Sequence, residues 1–346
     1  MQLSSYNDKI NKKQLAQIKK ILDMLPSYMA DFVRGIEPTT SINTRLEYMY
    51  DLRLFFEYKF DDLKDVSLEM LGDVTTRELE EFLEYLSYYE KVDNDGNVHT
   101  IKNSNKGKAR KLASLKTMYK YFYKHQLIQK NPTLLIDIPK ITHKNIVKLE
   151  IEEIVMLLDE VESGNKLTER QKKYHEYTKQ RDLALISLML GTGIRVSECV
   201  GLNIEDVDFN YNGIKITRKG GDESIVYFGD EVETALLEYI NIRKTLVCKD
   251  DDTPLFLSLQ LKRLSVRSVQ NVVKKYSSLV TSLKTITPHK LRSTYGTQLY
   301  NETGDIYLVA DVLGHKDVNT TKKHYAHMDD NRRRAAAKMV KLRSLE

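Results

Sequence analysis

A chain of 346 residues, 41% apolar and 30% charged with a formal net charge of +5, is long enough for two domains with cores of their own. Its only two cysteines, Cys199 and Cys248, lie far apart with no CxxC pair or Cys/His cluster, which excludes a disulfide scaffold and a zinc-type site and fits a reducing cytoplasm. The mildly basic balance permits a polyanionic partner without requiring one.

The N-terminal MQLSSYNDKINKKQ has no signal-peptide core. The longest apolar run, 183–190, is broken by Ser187 and is too short to span a bilayer. Leu15, Ile18, Ile21, Leu22 and Leu25 recur at helical spacing up to Pro26. Further helices are expected over LEYMYDLRLFFEYKF, TTRELEEFLEYLSYY and ARKLASLKTMYKYFYKH, the second of these with Glu78 placed as a capping partner behind Thr75-Thr76. Polar DNDGNVHTIKNSNKGK reads as an exposed loop. The Lys/Tyr-rich helix after it suits phosphate and groove contact, or equally an amphipathic helix with Tyr and Leu inward and Lys stems outward.

KNPTLLIDIPKITHKNIVK, with two prolines, reads as an extended linker. This predicts a helical domain over 1–130, a linker over 131–148 and a second domain over 149–346, which opens with a helix near Leu149-Glu150. There RDLALISLML predicts a buried helix ending at Gly191, and another helix follows Ser197. GIKITR and SIVYF flank Lys219-Gly220-Gly221-Asp222 as a hairpin. From Asp230 onward the expectation is helix, interrupted by turns near Asp250-Asp251, Gly304 and Gly314. The fold class is mainly α with a small β-hairpin or sheet.

Four segments carry possible chemistry. In LGTGIRVSE the glycines at 191 and 193 can hold Arg195 in a cleft, where its planar fork matches phosphate oxygens; the alternative is a surface Arg paired with Glu198. In TPHKLR, Thr287 and Pro288 mark a helix start, and His289 and Arg292, three apart, share a face near an anion-favouring N-terminus. An ordinary exposed first turn fits as well. In LGHKDVNTTKKHYAH, Gly314 ends a helix, His315 sits in the turn, and Asn319 or Thr320 caps the helix that carries Tyr325. That tyrosine is a nucleophile candidate or a core residue. Lys219, at the hairpin tip, is a site residue or a solvated turn lysine.

Taken in order (an Arg in a GTGxRxSE-like turn, a hairpin Lys, HxLR, LGH and a Tyr shortly after), these residues resemble the tyrosine recombinase (phage-integrase) family over nearly the whole chain. LPSYMADFV, TRKGG and PLFLS are also similar to the Xer branch that works as a single recombinase in streptococci and lactococci. The resemblance implies a two-domain C-clamp: a helical SAM-like core-binding domain and a mixed α/β catalytic domain, with a helix after Tyr325 that docks onto a neighbouring protomer. It implies a site-specific DNA recombinase in which Tyr325 attacks the scissile phosphate to form a 3′-phosphotyrosine. Arg195, Arg292 and His315 would bind non-bridging oxygens, Lys219 would protonate the leaving 5′ oxygen, and His289 would help take the tyrosine proton. No cofactor or metal is implied. The implied partners are double-stranded DNA with a specific core site, a homotetramer on two such sites, and possible accessory proteins. The implied setting is the bacterial cytoplasm at the nucleoid, with no membrane anchor. The task would be chromosome dimer resolution, inversion or mobile-element integration.

The chain departs from the family pattern in three places. Tyr325 stands one residue further from His315 than usual, Ser293 follows the HxLR motif where His is common, and Arg218 replaces the first glycine of a GKG hairpin. Two other readings share the fold or the chemistry: a type IB topoisomerase, and a non-catalytic DNA-binding protein, which the displaced tyrosine favours. A third, a helical protein-interaction module, is allowed by the modest net charge.

Overall fold

The helical periodicity of the first third and the hairpin pattern of the second part are both realised in the computed structural model. It describes residues 6–93, 95–140, 147–218, 221–249, 253–315 and 317–325, with backbone alone at 7, 320 and 323–325. The chain divides into two compact units, 2–144 and 145–346. Among the described residues no helix is long and apolar enough to cross a membrane.

In the first unit, α1 (Tyr6–Leu22), α2 (Tyr28–Gly35), α3 (Ile42–Lys59), α4 (Leu68–Gly72) and α5 (Thr76–Tyr85) precede a two-stranded hairpin, β1 (Tyr89–Val92) and β2 (Val98–Ile101), and α6 (Asn105–Lys124). Phe32, Phe55, Phe56, Phe82, Tyr119 and Phe122 are all fully buried in one core. Ile18, Ile21 and Leu25 reach that core as their spacing predicts, whereas Leu15 stays half exposed. The polar segment expected to be a loop instead contributes β2, paired with β1 from Tyr89↔Ile101 to Val92↔Val98. The β-formers Val98, Thr100 and Ile101 pair across a turn that Asp93 closes by accepting from the backbone of Asp95 and Asn97.

On α6 the amphipathic reading holds. Leu112, Leu115, Met118, Tyr119 and Phe122 face inward, and the Tyr119 hydroxyl donates to the Leu71 carbonyl at 3.2 Å. Three of its lysines are committed within the unit, Lys108 to the Ser87 hydroxyl, Lys111 to buried Asp51 and Lys116 to the Ile136 carbonyl.

The capping box at α5 forms as predicted: the Thr75 N–H donates to Glu78 at 2.7 Å and the Glu78 N–H donates to Thr75 at 3.3 Å. The Lys59 ammonium, 2.5 Å from the Glu78 carboxylate, and then Thr75 hold that carboxyl down at about 2. A carboxyl whose folded pKa is depressed stabilises above its ordinary value of 4.5 and loses that contribution as pH falls toward 2. Wild type should therefore lose stability through that window more steeply than Glu78→Gln, which is less stable at neutral pH. Thermal unfolding against pH checks this, and parallel curves would refute it.

The second unit contains α7 (Ile151–Ser163), α8 (Glu169–Thr192), α9 (Val196–Gly201), β3 (Val207–Asp208), β4 (Gly213–Thr217), β5 (Glu223–Tyr227), α10 (Asp230–Arg243), α11 (Val266–Val280), α12 (Pro288–Thr303), α13 (Ile306–Leu313) and α14 (Val318–Tyr325). Helix α8 is central. Its second half, from Ala184 to Leu190, is buried throughout, and it packs against α7, α10 and α12. The sheet is antiparallel in the order β3-β4-β5.

Two expectations fail here. Helix α8 does not end at Gly191: it runs through that glycine, whose missing side chain leaves room for Val232 of α10, and stops at Thr192. Among the described residues the stretch between α10 and α11 is not helical, and the turn expected at Asp250-Asp251 lies outside them. Pro254 cannot continue a helix, and backbone pairing takes over: the Ile204 N–H donates to Thr253 and the Leu255 N–H donates to Leu202.

Candidate active site

The site is built around the C-terminus of α13. Gly314 adopts the left-handed conformation at φ 59°. This lets the Gly314 N–H donate to the Asp311 carbonyl at 2.8 Å and the His315 N–H donate to the Ala310 carbonyl at 2.9 Å, the paired bonds of a Schellman stop. That leaves the carbonyls of Val312, Leu313 and Gly314 at the negative end of the helix. Each accepts from an arginine on a different element. Arg218, at the end of β4, donates to Val312 at 3.3 Å, Arg292 of α12 donates to Leu313, and Arg195 donates to Gly314 at 2.9 Å.

Arg195 occupies the N-cap position of α9, directly after the turn that ends α8. Gly193 makes that turn at φ 63°, where a side chain would also run into Tyr295 and Leu313. Glu198, only 8% exposed, holds Arg195 twice: it accepts from the backbone N–H at 2.9 Å and from the guanidinium at 2.7 Å. The surface pair with Glu198 that the sequence allowed is thus real but half-buried. The arginine side chain remains 32% exposed. Burial pushes the neighbouring Cys199 thiol far up, which makes it a packing group rather than a nucleophile.

Arg292 is almost fully buried. Besides Leu313 it donates to the Gly193 carbonyl at 2.6 Å, so one guanidinium ties the end of α8 to the end of α13. His289 and Arg292, three apart on α12, differ in burial. His289 is exposed on the first turn of α12, while Arg292, one turn on, points into the unit. Thr287 does sit at the N-cap with Pro288 next, but its side chain makes no capping bond.

His315 is half-buried in the turn after α13. Its Nδ1 lies 2.7 Å from the hydroxyl of Thr321, which is fully buried on α14. With the hydroxyl donating, Nε2 carries the ring proton and is a donor. Thr321 was not read from the sequence; its only signal is its place two turns into the same motif. Thr321→Val removes this partner while keeping shape, and strand cleavage should fall roughly tenfold with a stability loss of ~1 kcal/mol. Thr321→Ser should restore the rate. A single-turnover assay beside thermal unfolding checks both, and unchanged cleavage by the Val variant would refute the orienting role.

Helix α14 begins at Val318, ahead of the predicted caps Asn319 and Thr320. Asp317 instead accepts from the Asn319 N–H at 2.9 Å. Tyr325 is the last residue of α14. Lys219 lies outside the described residues. Its flanks close the hairpin: the Arg218 N–H donates to Asp222 at 2.7 Å and the Gly221 N–H donates to Arg218 at 3.0 Å.

Residues 148–332 match the phage integrase family model. The chain belongs to the phage integrase family. It is a tyrosine site-specific recombinase of the Xer-like branch, as its relatives agree. It is 33% identical to the tyrosine recombinase XerC of Caldanaerobacter subterraneus subsp. tengcongensis, over 94% of this chain and 90% of the relative. It is 29% identical to the tyrosine recombinase XerS of Lactococcus lactis subsp. cremoris, over 92% of this chain and 97% of the relative. Among solved structures it is similar in fold to the Tn1549 transposon integrase in complex with circular intermediate DNA. That likeness has a TM-score of 0.64 at 22% identity and covers 90% of this chain and 98% of that one.

Proposed function

We propose that the scissile phosphate of a double-stranded core site is held at the arginine-ringed end of α13. The observation that carries this reading is the convergence of guanidinium groups from three elements on consecutive carbonyls beside His315, in a turn that leads straight into the Tyr325 helix. Arg195 and His315 donate to the non-bridging oxygens, and Arg292 reinforces the positive field from below. A fixed donor of this kind is worth about 3 to 4 kcal/mol in the transition state.

The step balances on side chains. The Tyr325 oxygen forms a bond to phosphorus as its proton leaves, with His289 as the acceptor. The bond from phosphorus to the 5′ oxygen breaks, and that oxygen takes a proton from the Lys219 ammonium. A 5′ hydroxyl from a partner strand reverses the sequence. In sequence, the nucleophile departs from the family pattern by one extra residue of spacing, which rotates a helical position by about a quarter turn.

On this reading the helical unit 2–144 supplies further DNA contacts, and the recombinase works as a homotetramer on two core sites with a Xer-like task in the bacterial cytoplasm, at the nucleoid. Accessory proteins and docking of the segment after Tyr325 onto a neighbouring protomer belong to the same reading, although that segment lies outside the described residues. Matches to XerC and XerS along nearly their whole lengths favour that task over one that needs an additional DNA-binding module.

The test is a nicked suicide duplex carrying candidate chromosomal core sites, resolved under denaturing conditions. The expected product is a protein–DNA adduct at the 3′ phosphate, with light scattering of the paired-site complex giving four protomers. A 5′-linked adduct, or none on any duplex that the protein binds, would overturn the reading.

A further inference from the structure

Helix α9 has only six residues, VSECVG, among them two β-branched valines and a glycine. A helix of that length and composition has no stability of its own in water, so its shape is imposed by what holds it. Yet it carries Arg195 at its N-cap and, one turn on, the Glu198 carboxylate that grips Arg195 twice. The last carbonyls of a helix lack partners within it. At α9 those partners come from Arg263, in the stretch between α10 and α11. One guanidinium nitrogen donates to the Val200 carbonyl at 3.0 Å and to the Leu202 carbonyl at 2.8 Å, and the other donates to the Asn203 side-chain oxygen. A planar fork suits this seat, since it reaches several acceptors at once from one rigid group. Arg263 is itself anchored: its backbone pairs with Leu257, and the following N–H, of Leu264, donates to the Phe256 carbonyl at 2.9 Å. The residue is half-buried, and none of the motif segments contains it.

We infer that Arg263 is a positioning residue for strand cleavage: by clamping the C-terminal end of α9 it fixes Glu198 and, through Glu198, the guanidinium of Arg195. The inference rests on the reading of Arg195 as a donor to a non-bridging oxygen of the scissile phosphate. A donor misplaced by about 1 Å can cost on the order of 10²-fold in rate, because the developing charge is stabilised only by groups already in place.

The test uses the full chain on a core-site duplex at which wild type forms its adduct, prepared in two versions. One has the natural scissile phosphodiester. The other is a methylphosphonate, in which a methyl group replaces one non-bridging oxygen and removes the charge that Arg195 would balance. Every rate is taken below the unfolding transition of the variant and compared with wild type on the same duplex. Arg195→Ala should cleave the phosphodiester ~10²- to 10³-fold more slowly and stay within a few-fold of wild type, or exceed it, on the methylphosphonate. Arg263→Ala should show the same pattern in weaker form: about 10- to 100-fold slower on the phosphodiester and within a few-fold of wild type on the methylphosphonate. Arg263→Lys keeps a cation that can reach one carbonyl, disturbs the fold less and should show the same charge-dependent deficit at reduced size. It decides the matter if the Ala variant does not fold.

Equal slowing of the Arg263 variants on both duplexes would make Arg263 a structural residue only and would overturn the inference. So would an unchanged rate on the phosphodiester. If Arg195→Ala is slowed alike on both duplexes, the reading of Arg195 itself falls, and this inference with it.

Discussion

Tyr325→Phe is expected to abolish covalent capture of DNA, lowering adduct formation by at least ~10⁴-fold, while duplex affinity stays within about twofold. The substitution removes one oxygen and no charge, so the arginines at the end of α13 and the fold are untouched. The nucleophile assignment needs this test because Tyr325 stands one residue further from His315 than the family pattern. Helix α14 starts at Val318, capped by Asp317, and Tyr325 ends it two turns later. The measurement is a denaturing gel of wild type and variant on nicked duplex, with binding followed separately by mobility shift. Loss of adduct with binding retained assigns the nucleophile. An adduct that persists in the Phe variant would place the nucleophile on another residue.

Arg292→Ala is expected to damage stability and catalysis together. The guanidinium is buried and holds the carbonyls of Gly193 and Leu313, the stop of α8 and the stop of α13. Removing it leaves two buried acceptors short of a partner, at about 1 to 3 kcal/mol each, so the unit 145–346 should lose ~2–6 kcal/mol. Cleavage measured below the unfolding transition should fall by ~10²- to 10³-fold, if the positive field beneath the phosphate and the seat of the α13 stop are lost together. Arg292→Lys should recover part of the stability and little of the rate, because one ammonium cannot serve both carbonyls and the phosphate field at once. Thermal unfolding beside single-turnover cleavage separates the two effects. Unaltered stability would mean that the two carbonyls find other partners, and cleavage within tenfold of wild type would remove Arg292 from the catalytic set.

The sequence by itself determined most of the long helices, the β4–β5 hairpin and the family. Periodicity at Ile18, Ile21 and Leu25, the Thr75/Glu78 cap signal and the β-formers around residues 213–228 are local codes, each read out by backbone geometry within a few residues. The order of Arg195, Lys219, His289, Arg292, His315 and Tyr325 is likewise a linear property. Other features were illegible because they depend on atoms distant in the chain. Gly191 reads as a stop, yet it is a packing position for Val232, and the left-handed turn falls to Gly193 alone. The stretch around Pro254 pairs with residues about fifty positions earlier, which no local pattern announces. Arg218 reads as a mere departure from a glycine motif, and Thr321 as one of two adjacent threonines, until folding sets them on Gly314 and His315. Tertiary structure alone decided that three arginines spread over nearly a hundred residues meet at one helix end. The physical reason is that orphan carbonyls at a helix C-terminus must find donors, and which donors arrive is settled by the packing of whole helices.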